Sequence, residues 1–485
     1  MISFADCYRG LTGHDAPAAT ADFRVTPWVM NSREVVAQGG FVARPGASDS
    51  SVDGHRYIGD ALQRGAAAVI AERDRTDLAM VGDGVQIVDL NAGPVAALKA
   101  PTLFLADDSL AAIQRLAAWW RQRANPGLQI VAITGSVGKT TTKELIAAVL
   151  SQRFRTWKSR GNYNSDIGMP MSLLDMPLEI ERAVVEMGMT RRGEIAELVR
   201  IAHPQIGVVT NVGPAHMMQL GSFEAITAAK QELVEGLPAS GLAILNADDW
   251  RVRSMADKSA ATVVTYGSDP SNDVWADEVT TRGLDGISLR FHRGKDSAYA
   301  HLPLLGQHSV HGSLAAATVG LTQGMSWGEI IAGLKSIAEH EVLRIMVVEG
   351  LHGSTLIDDT YNASPDSVMA ALNLLADLDG RKIAVLGDMK ELGPYSHEGH
   401  ALVSRRAGTV ADRFVAVGEM APRMIQDAHR AGMAPTATYA AQDAADAEAW
   451  LRGQLQQGDI VLVKASRAVG LDQLVTALTV TPEDI

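Results

Sequence analysis

Ile133-Thr134-Gly135-Ser136-Val137-Gly138-Lys139-Thr140-Thr141-Thr142 decides how this chain is read. The apolar run Ile130-Val131-Ala132-Ile133 before it has the composition of a buried strand, and a helix is expected after it. A glycine turn between strand and helix is the setting of a phosphate loop. Gly135 and Gly138 let the backbone approach a ligand closely. The N–H groups of Gly135, Ser136, Val137 and Gly138, with the helix N-terminus, are expected to face phosphate oxygens. Lys139 adds positive charge for the terminal phosphates, and Thr140 or Thr141 can place a hydroxyl on Mg²⁺. The loop is not the longer form, because Ile133 stands five residues before Gly138 where that form has glycine.

Strand-like runs continue outward from this loop. Ala183-Val184-Val185, Ile206-Gly207-Val208-Val209 and Ala243-Ile244-Leu245 alternate with helical stretches, which predicts a mostly parallel sheet wound on both faces. A later block repeats the pattern with Thr355-Leu356-Ile357, Ile383-Ala384-Val385-Leu386, Phe414-Val415-Ala416-Val417 and Ile460-Val461-Leu462-Val463. Ser364-Pro365 has the form of a helix start. An earlier block holds Gly40-Phe41-Val42-Ala43 and Ala67-Ala68-Val69-Ile70-Ala71, followed by a helix pattern on Leu110, Ile113, Leu116 and Trp120. A chain of 485 residues is too long for one core. The expectation is an α/β protein of three domains, spanning residues 1–100, 101–343 and 344–485.

Composition narrows the function. A net charge of −13 argues against a nucleic-acid binder, which needs a basic footprint. Cys7 is the one cysteine, so no intrachain disulfide can form, in keeping with a reducing compartment. The first residues lack the pattern of a secretory signal, and no apolar run is long enough to span a membrane. A cytoplasmic protein is expected.

A phosphate loop alone leaves kinases, GTPases and ligases open; the residues downstream narrow the choice. The short Gly-x-x-Gly-Lys-Thr-Thr loop, Gly161-Asn162-Tyr163-Asn164-Ser165-Asp166-Ile167-Gly168, Val185-Glu186-Met187-Gly188 and Asn211-Val212-Gly213-Pro214-Ala215-His216 resemble, in this order, segments of the Mur ligases. So do Ala228-Ala229-Lys230-Gln231-Glu232-Leu233, Ile357-Asp358-Asp359-Thr360-Tyr361-Asn362-Ala363-Ser364-Pro365 and Lys464-Ala465-Ser466-Arg467. Gly387-Asp388-Met389-Lys390-Glu391-Leu392-Gly393 is the most specific match. It resembles the branch of the family that adds D-Ala-D-Ala to UDP-MurNAc-tripeptide, and the resemblance covers nearly the whole chain.

The resemblance implies a central ATP-binding domain between an N-terminal UDP-sugar-binding domain and a C-terminal Rossmann-like domain. It implies ATP and two Mg²⁺ sites. Thr140 and Glu186 would hold one metal; His216 and Lys230, the latter as a carbamate, would hold the other. Lys139, Glu186, His216 and Lys230 would be the catalytic groups. Asn162, Asn164, Arg344 and Asp359 would join the loop in holding the nucleotide, Asp359 at the ribose. Ser32, Arg33, Asp53 and His55 would bind the UDP-sugar end, and Tyr361, Asn362, Lys464, Ser466 and Arg467 other parts of the substrates. A monomer is expected, with no nucleic-acid or membrane partner. The chain departs from the family where Ser309 and Gly312 replace two asparagines, the second associated with nucleotide-base contacts, and where Ser313 or Gln307 could substitute. Leu343, Ala465 and Asn31 are further departures. A family relative joining another acid and amine, and a catalytically silent nucleotide-binding relative, are the competing readings.

Overall fold

The apolar runs become strands of three sheets. The structure is a computed structural model that describes residues 1–46, 52–337 and 345–480. Arg344, and with it the expected boundary at 343/344, lies outside the described residues.

The first sheet has five parallel strands in the order Trp28–Val29, Gly40–Val42, Ala68–Glu72, Thr102–Ala106, Gln86–Asp89. Thr102–Ala106 pairs in register with Ala68–Glu72, so an expected boundary at residue 100 falls inside this sheet. That pairing joins segments about thirty residues apart, which a local pattern does not reveal. The helix Ser109–Gln122 follows, capped by Asp108, and carries Ile113, Leu116 and Trp120 on its buried face. Trp120 donates its indole N–H to the Met176 carbonyl at 3.0 Å, tying this helix to the central region.

The central sheet has nine strands. Parallel strands run from Thr156–Lys158 through Arg182–Glu186, Gln129–Thr134, Ile206–Val209, Leu242–Asn246 and Thr262–Gly267 to Val274–Thr281. The antiparallel strands Ile287–Arg293 and Asp296–Leu302 complete it. The phosphate-loop helix Lys139–Leu150 is buried against Ser309–Thr322, which is itself buried along most of its length. A helix apolar on nearly every side belongs in a core.

The third sheet has six strands, ordered Met346–Gly350, Ser354–Asp358, Asp459–Lys464, Arg381–Gly387, Arg413–Val417, Thr438–Ala441, with only the first pair antiparallel. Ser364 caps the helix Pro365–Ala376 with Pro365 at its start, as the sequence predicts. The cores differ in how they join. One apolar cluster runs continuously from Ile2 to Ala261, uniting the first sheet with a face of the central one. The third sheet carries its own apolar layers on its two faces. It therefore meets the rest mainly through loops at the mouth of a cleft.

Candidate active site

The strand Gln129–Thr134 ends at the loop, and the loop turns on two glycines with positive φ, 155° at Gly135 and 82° at Gly138. A Cβ on Gly135 would stand 1.9 Å from the Thr210 hydroxyl, so no side chain fits. Thr210 and Asn211, at the end of the neighbouring strand, brace the loop. Asn211 accepts from the Ser136 N–H through its carbonyl at 3.0 Å and from the Val137 N–H through Oδ1 at 2.9 Å. It donates Nδ2 to the Val137 carbonyl at 2.9 Å, and Thr210 donates its hydroxyl to the same oxygen. Two N–H groups expected to face phosphate are therefore taken by Asn211, because the neighbouring strand end must rigidify the turn. Among the described residues no side chain caps the helix N-terminus, so its dipole points into the cleft.

Lys139 folds back, donating Nζ to the Gly135 carbonyl at 2.9 Å. Thr140 donates its hydroxyl to Glu186 Oε2 at 2.7 Å, and Asn164 donates Nδ2 to Oε1 at 2.7 Å. Glu186 is buried at the C-terminal end of its strand, where α/β sheets bind ligands. A buried carboxylate beside a hydroxyl is a hard-oxygen pair that suits Mg²⁺. Among the described residues no three His, Cys, Asp or Glu side chains are grouped to hold a metal on their own.

Lys230 lies in the helix Phe223–Glu235 and is only 2% exposed. Burial, reinforced by Lys139, pushes its pKa well down, and among the described residues no acid comes within ion-pair distance. His216 stands at φ 61° and faces Glu391, itself at φ 66°, with Nδ1 and Oε2 3.0 Å apart. The approach is close but misdirected for a hydrogen bond, and the buried Nδ1 has no aligned partner. The close contact with His216 holds the Glu391 carboxyl below the usual range, against the opposing effect of burial. Two facing non-glycine residues in the left-handed region mark a strained contact of the kind concentrated at functional sites.

These groups border one cleft of about 1110 Å³. It is lined by Ser136, Val137, Gly138, Lys139, Thr140, Thr141, Asn162, Asn164, Glu186 and His216 from the central region. Asp359, Tyr361, Asn362, Lys464, Ser466 and Arg467 line it from the C-terminal region. Gly135 and Lys230 lie behind its wall, and Ser32, Arg33, Asp53 and His55 are elsewhere. Lys464 is buried in an ion pair with Asp359 at 2.7 Å and also donates to the Asn362 carbonyl at 2.8 Å. Lys464 and Asp359, expected to bind separate ligands, hold each other. Ser466 accepts from the Lys390 N–H at 2.9 Å, and the Arg467 guanidinium lies 5.8 Å from the centre of the Tyr361 ring.

In the first sheet, His55 is buried with both ring nitrogens engaged. Nδ1 is 2.6 Å from Asp53 Oδ1, and Nε2 accepts from the Glu72 N–H at 2.9 Å. His55 is thus a pin between its turn and the end of a strand, not an open ligand group as expected. Ser32 is buried against Asp60, while Arg33 is exposed. Of the departures, Ser313 bonds back along its own helix to the Ser309 carbonyl at 2.9 Å, and Ser309 to the Leu305 carbonyl just before the helix at 2.7 Å. Gln307 alone of the two candidate substitutes keeps an exposed side chain. The sequence reading left Thr210, Asn211, Asp366 and Glu391 without roles. The Thr210-Asn211 pair was detectable, since it ends a strand level with the loop; Asp366 and Glu391 depend on how the third sheet docks.

Residues 133–320 match the Mur ligase middle domain, and residues 343–467 match the Mur ligase glutamate ligase domain. The UDP-N-acetylmuramoyl-tripeptide--D-alanyl-D-alanine ligase of Synechocystis sp. is 37% identical over 94% of this chain and 92% of its own length. Among solved structures, a MurF crystal structure from Acinetobacter baumannii matches with a TM-score of 0.79 and 26% identity, over 98% of both chains. The MurF ligase of Thermotoga maritima in complex with ADP matches with a TM-score of 0.74 and 28% identity, over 94% of this chain and 96% of that one.

Proposed function

The chain belongs to the Mur ligase family, and from that premise we propose that it joins D-alanyl-D-alanine to UDP-N-acetylmuramoyl-tripeptide at the expense of ATP. The observation that carries this reading is the cleft itself. A phosphate loop on one side faces the Gly387–Gly393 segment on the other, in a chain similar over nearly its full length to ligases of that name. The ADP complex of the Thermotoga maritima relative supports a nucleotide at the loop.

A carboxylate is a poor electrophile. Transfer of the γ-phosphoryl group to it makes an acyl phosphate with a good leaving group, and the dipeptide amine then attacks. The first step brings two anions together, so the site must neutralise charge and align the reactants. Lys139, now resting on the loop carbonyls, would turn to the terminal phosphates. Thr140 and Glu186 would hold Mg²⁺, with Asn164 orienting Glu186; bound there, the metal supplies charge neutralisation across the phosphates. Burial shifts Lys230 toward the neutral amine, the form that adds CO₂ with loss of a proton to give a carbamate. That carbamate and His216 would hold a second Mg²⁺. Asn162, Tyr361, Asn362 and Arg467 line the cleft and would contact substrates. Asp359 and Lys464, locked together, would present the edge on which the nucleotide lies.

The first sheet would grip the UDP end through Ser32, Arg33 and Asp53, and the third would close over the amine substrate and exclude water. Among the described residues no helix is long and apolar enough to cross a membrane. The substrates of the proposed reaction, ATP and a UDP-linked precursor, suit a cytoplasmic enzyme, and a monomer is our reading. The test is phosphate release with ATP, Mg²⁺, UDP-MurNAc-tripeptide and D-Ala-D-Ala, each omitted in turn. Release that needs both organic substrates, with a product heavier by the dipeptide, is expected. Release that persists with another acid–amine pair and fails with this one would move the chain to a different substrate within the family.

A further inference from the structure

One carboxylate in the cleft has no place in the scheme above. Asp366 sits in the first turn of the helix Pro365–Ala376, but Ser364 and Ser367 supply the cap, so the aspartate is not needed there. Its side chain crosses to the central region and lies over Gly213. A Cβ on Gly213 would stand 2.1 Å from Asp366 Oδ2 and 3.5 Å from Ser136 Cβ. Asp366 and the phosphate loop therefore flank the same point. Gly213 is fixed there, donating its N–H to the Ser136 hydroxyl at 2.8 Å. Among the described residues Asp366 accepts no hydrogen bond and forms no ion pair. It is open to the cleft yet crowded on its other sides.

The charged groups around it are Asp249 and Arg251, with the Tyr395 phenol nearby. Asp249 is spent on backbone N–H groups of Val212 and Arg251. The Arg251 guanidinium lies over the rings of Phe223 and Trp250. Crowding and Asp249 raise the Asp366 pKa, Arg251 opposing. A carboxylate beside a phosphate loop repels nucleotide and substrate carboxylate alike. Mg²⁺ has its own holders in Thr140 and Glu186, whereas the ammonium of the amine substrate has none in that scheme, and the amine must reach the acyl carbon beside the terminal phosphate.

We propose that Asp366 receives the ammonium group of the incoming dipeptide and takes its proton. The inference rests on the ligase reading above. The ammonium gives one proton to Asp366, and the freed nitrogen lone pair forms the C–N bond at the acyl carbon. The C–O bond to phosphate then breaks, and the second nitrogen proton leaves with the phosphate. Asp366 later releases its proton to solvent.

Hydroxylamine tests this, because it is largely neutral at pH 7 and attacks acyl phosphates without needing a base. With ATP, Mg²⁺ and UDP-MurNAc-tripeptide, hydroxamate formation reports the acyl phosphate; adding D-Ala-D-Ala reports ligation. For D366N, ligation should fall about 100-fold or more while hydroxamate formation stays within about twofold of wild type. D366E should recover part of the ligation rate. In wild type, ligation should rise with pH through the raised Asp366 pKa, and in D366N that limb should vanish. Equal loss of both reactions, or an unchanged ligation rate, overturns the proposal. Absence of hydroxamate from the wild-type enzyme overturns the acyl-phosphate reading and the proposal with it.

Discussion

Two loops face each other across the cleft, and they are wired in opposite senses. The phosphate loop, residues 135–138, is braced from behind by Thr210 and Asn211, and the helix end beyond it points at the ligand. The Gly387–Gly393 segment, the most specific match in sequence, spends most of its polar groups on its own domain. Asp388 is buried and accepts from the Glu419 and Met420 N–H groups at 3.1 and 3.0 Å and from Lys390 Nζ at 3.0 Å. The Met389 N–H goes to His400, and the Lys390 N–H to Ser466. Only its far end crosses over: Glu391 meets His216, its carbonyl takes the Met218 N–H at 3.0 Å, and Gly393 presses on Met218. A motif can thus be diagnostic because it shapes a docking loop, with few of its residues touching the reactants.

If this contrast holds, the two loops should fail differently. Lys139→Ala should show the largest effect, lowering the ligation rate by roughly 100- to 1,000-fold, the usual loss when a preorganised charge is removed. The melting temperature should move much less, since the Lys139 Nζ donates to the Gly135 and Ser136 carbonyls of its own exposed-side loop and does not tie one sheet to another through them. A large loss of stability would instead make Lys139 part of the loop's scaffold.

Asp388→Ala should reverse the pattern. It strands two part-buried N–H donors and removes the partner of Lys390, a cost of about 2 kcal/mol in stability. Activity per folded molecule, measured below the melting transition, should fall much less than for Lys139→Ala. A catalytic collapse with unchanged stability would show that Asp388 touches the reactants. Glu391→Ala should be milder. It removes the contact to His216 across the cleft, so kcat/KM should fall about tenfold, near 1.4 kcal/mol, with nucleotide affinity unchanged. Nucleotide affinity falling in step would mean that Glu391 shapes the phosphate side as well.

The same contrast explains what could be read beforehand. Buried parallel strands such as Ile130–Ile133 and Ile460–Val463 are unbroken apolar runs, and every such run expected from sequence forms a strand, with only Ala43 and Ala67 falling just outside theirs. The antiparallel ribbon was not proposed, although Ile287-Ser288-Leu289-Arg290-Phe291-His292 alternates cleanly and Gly294 turns the chain at φ 58°. Thr102–Ala106 pairs with Ala68–Glu72 across the boundary expected at residue 100, a pairing between segments distant in sequence that no local pattern carries. Residue types announced Lys139, Thr140 and Glu186, whose surroundings come from adjacent strand ends. They did not announce that His55 would be locked by Asp53 and Glu72, or Lys464 by Asp359. Those outcomes depend on which polar groups folding leaves without partners, and a motif does not carry that information.

The smallest effect belongs to His400, which holds the docking loop from beneath. Its Nε2 accepts from the Met389 N–H at 2.9 Å while Nδ1 donates to the Ser396 carbonyl at 2.7 Å, so the neutral ring has its tautomer fixed. Protonation would place a hydrogen on Nε2 and expel the Met389 donor. Burial accordingly lowers the His400 pKa below its ordinary 6.5. Because the folded pKa is the lower one, the unfolded chain takes up the proton first as pH falls. The contribution is intact above about pH 6.5 and is lost as pH drops from there toward the folded pKa, at no more than about 1.4 kcal/mol per pH unit. In His400→Gln the amide oxygen can accept from Met389 but does not titrate. The wild type should therefore lose more melting temperature than the variant between about pH 7.5 and pH 5.5, the range in which an unperturbed imidazole titrates. Parallel pH curves for the two proteins would mean that the loop stays anchored without this bond, through Asp388, Ser466 and the burial of Met389 and Leu392 against the third sheet.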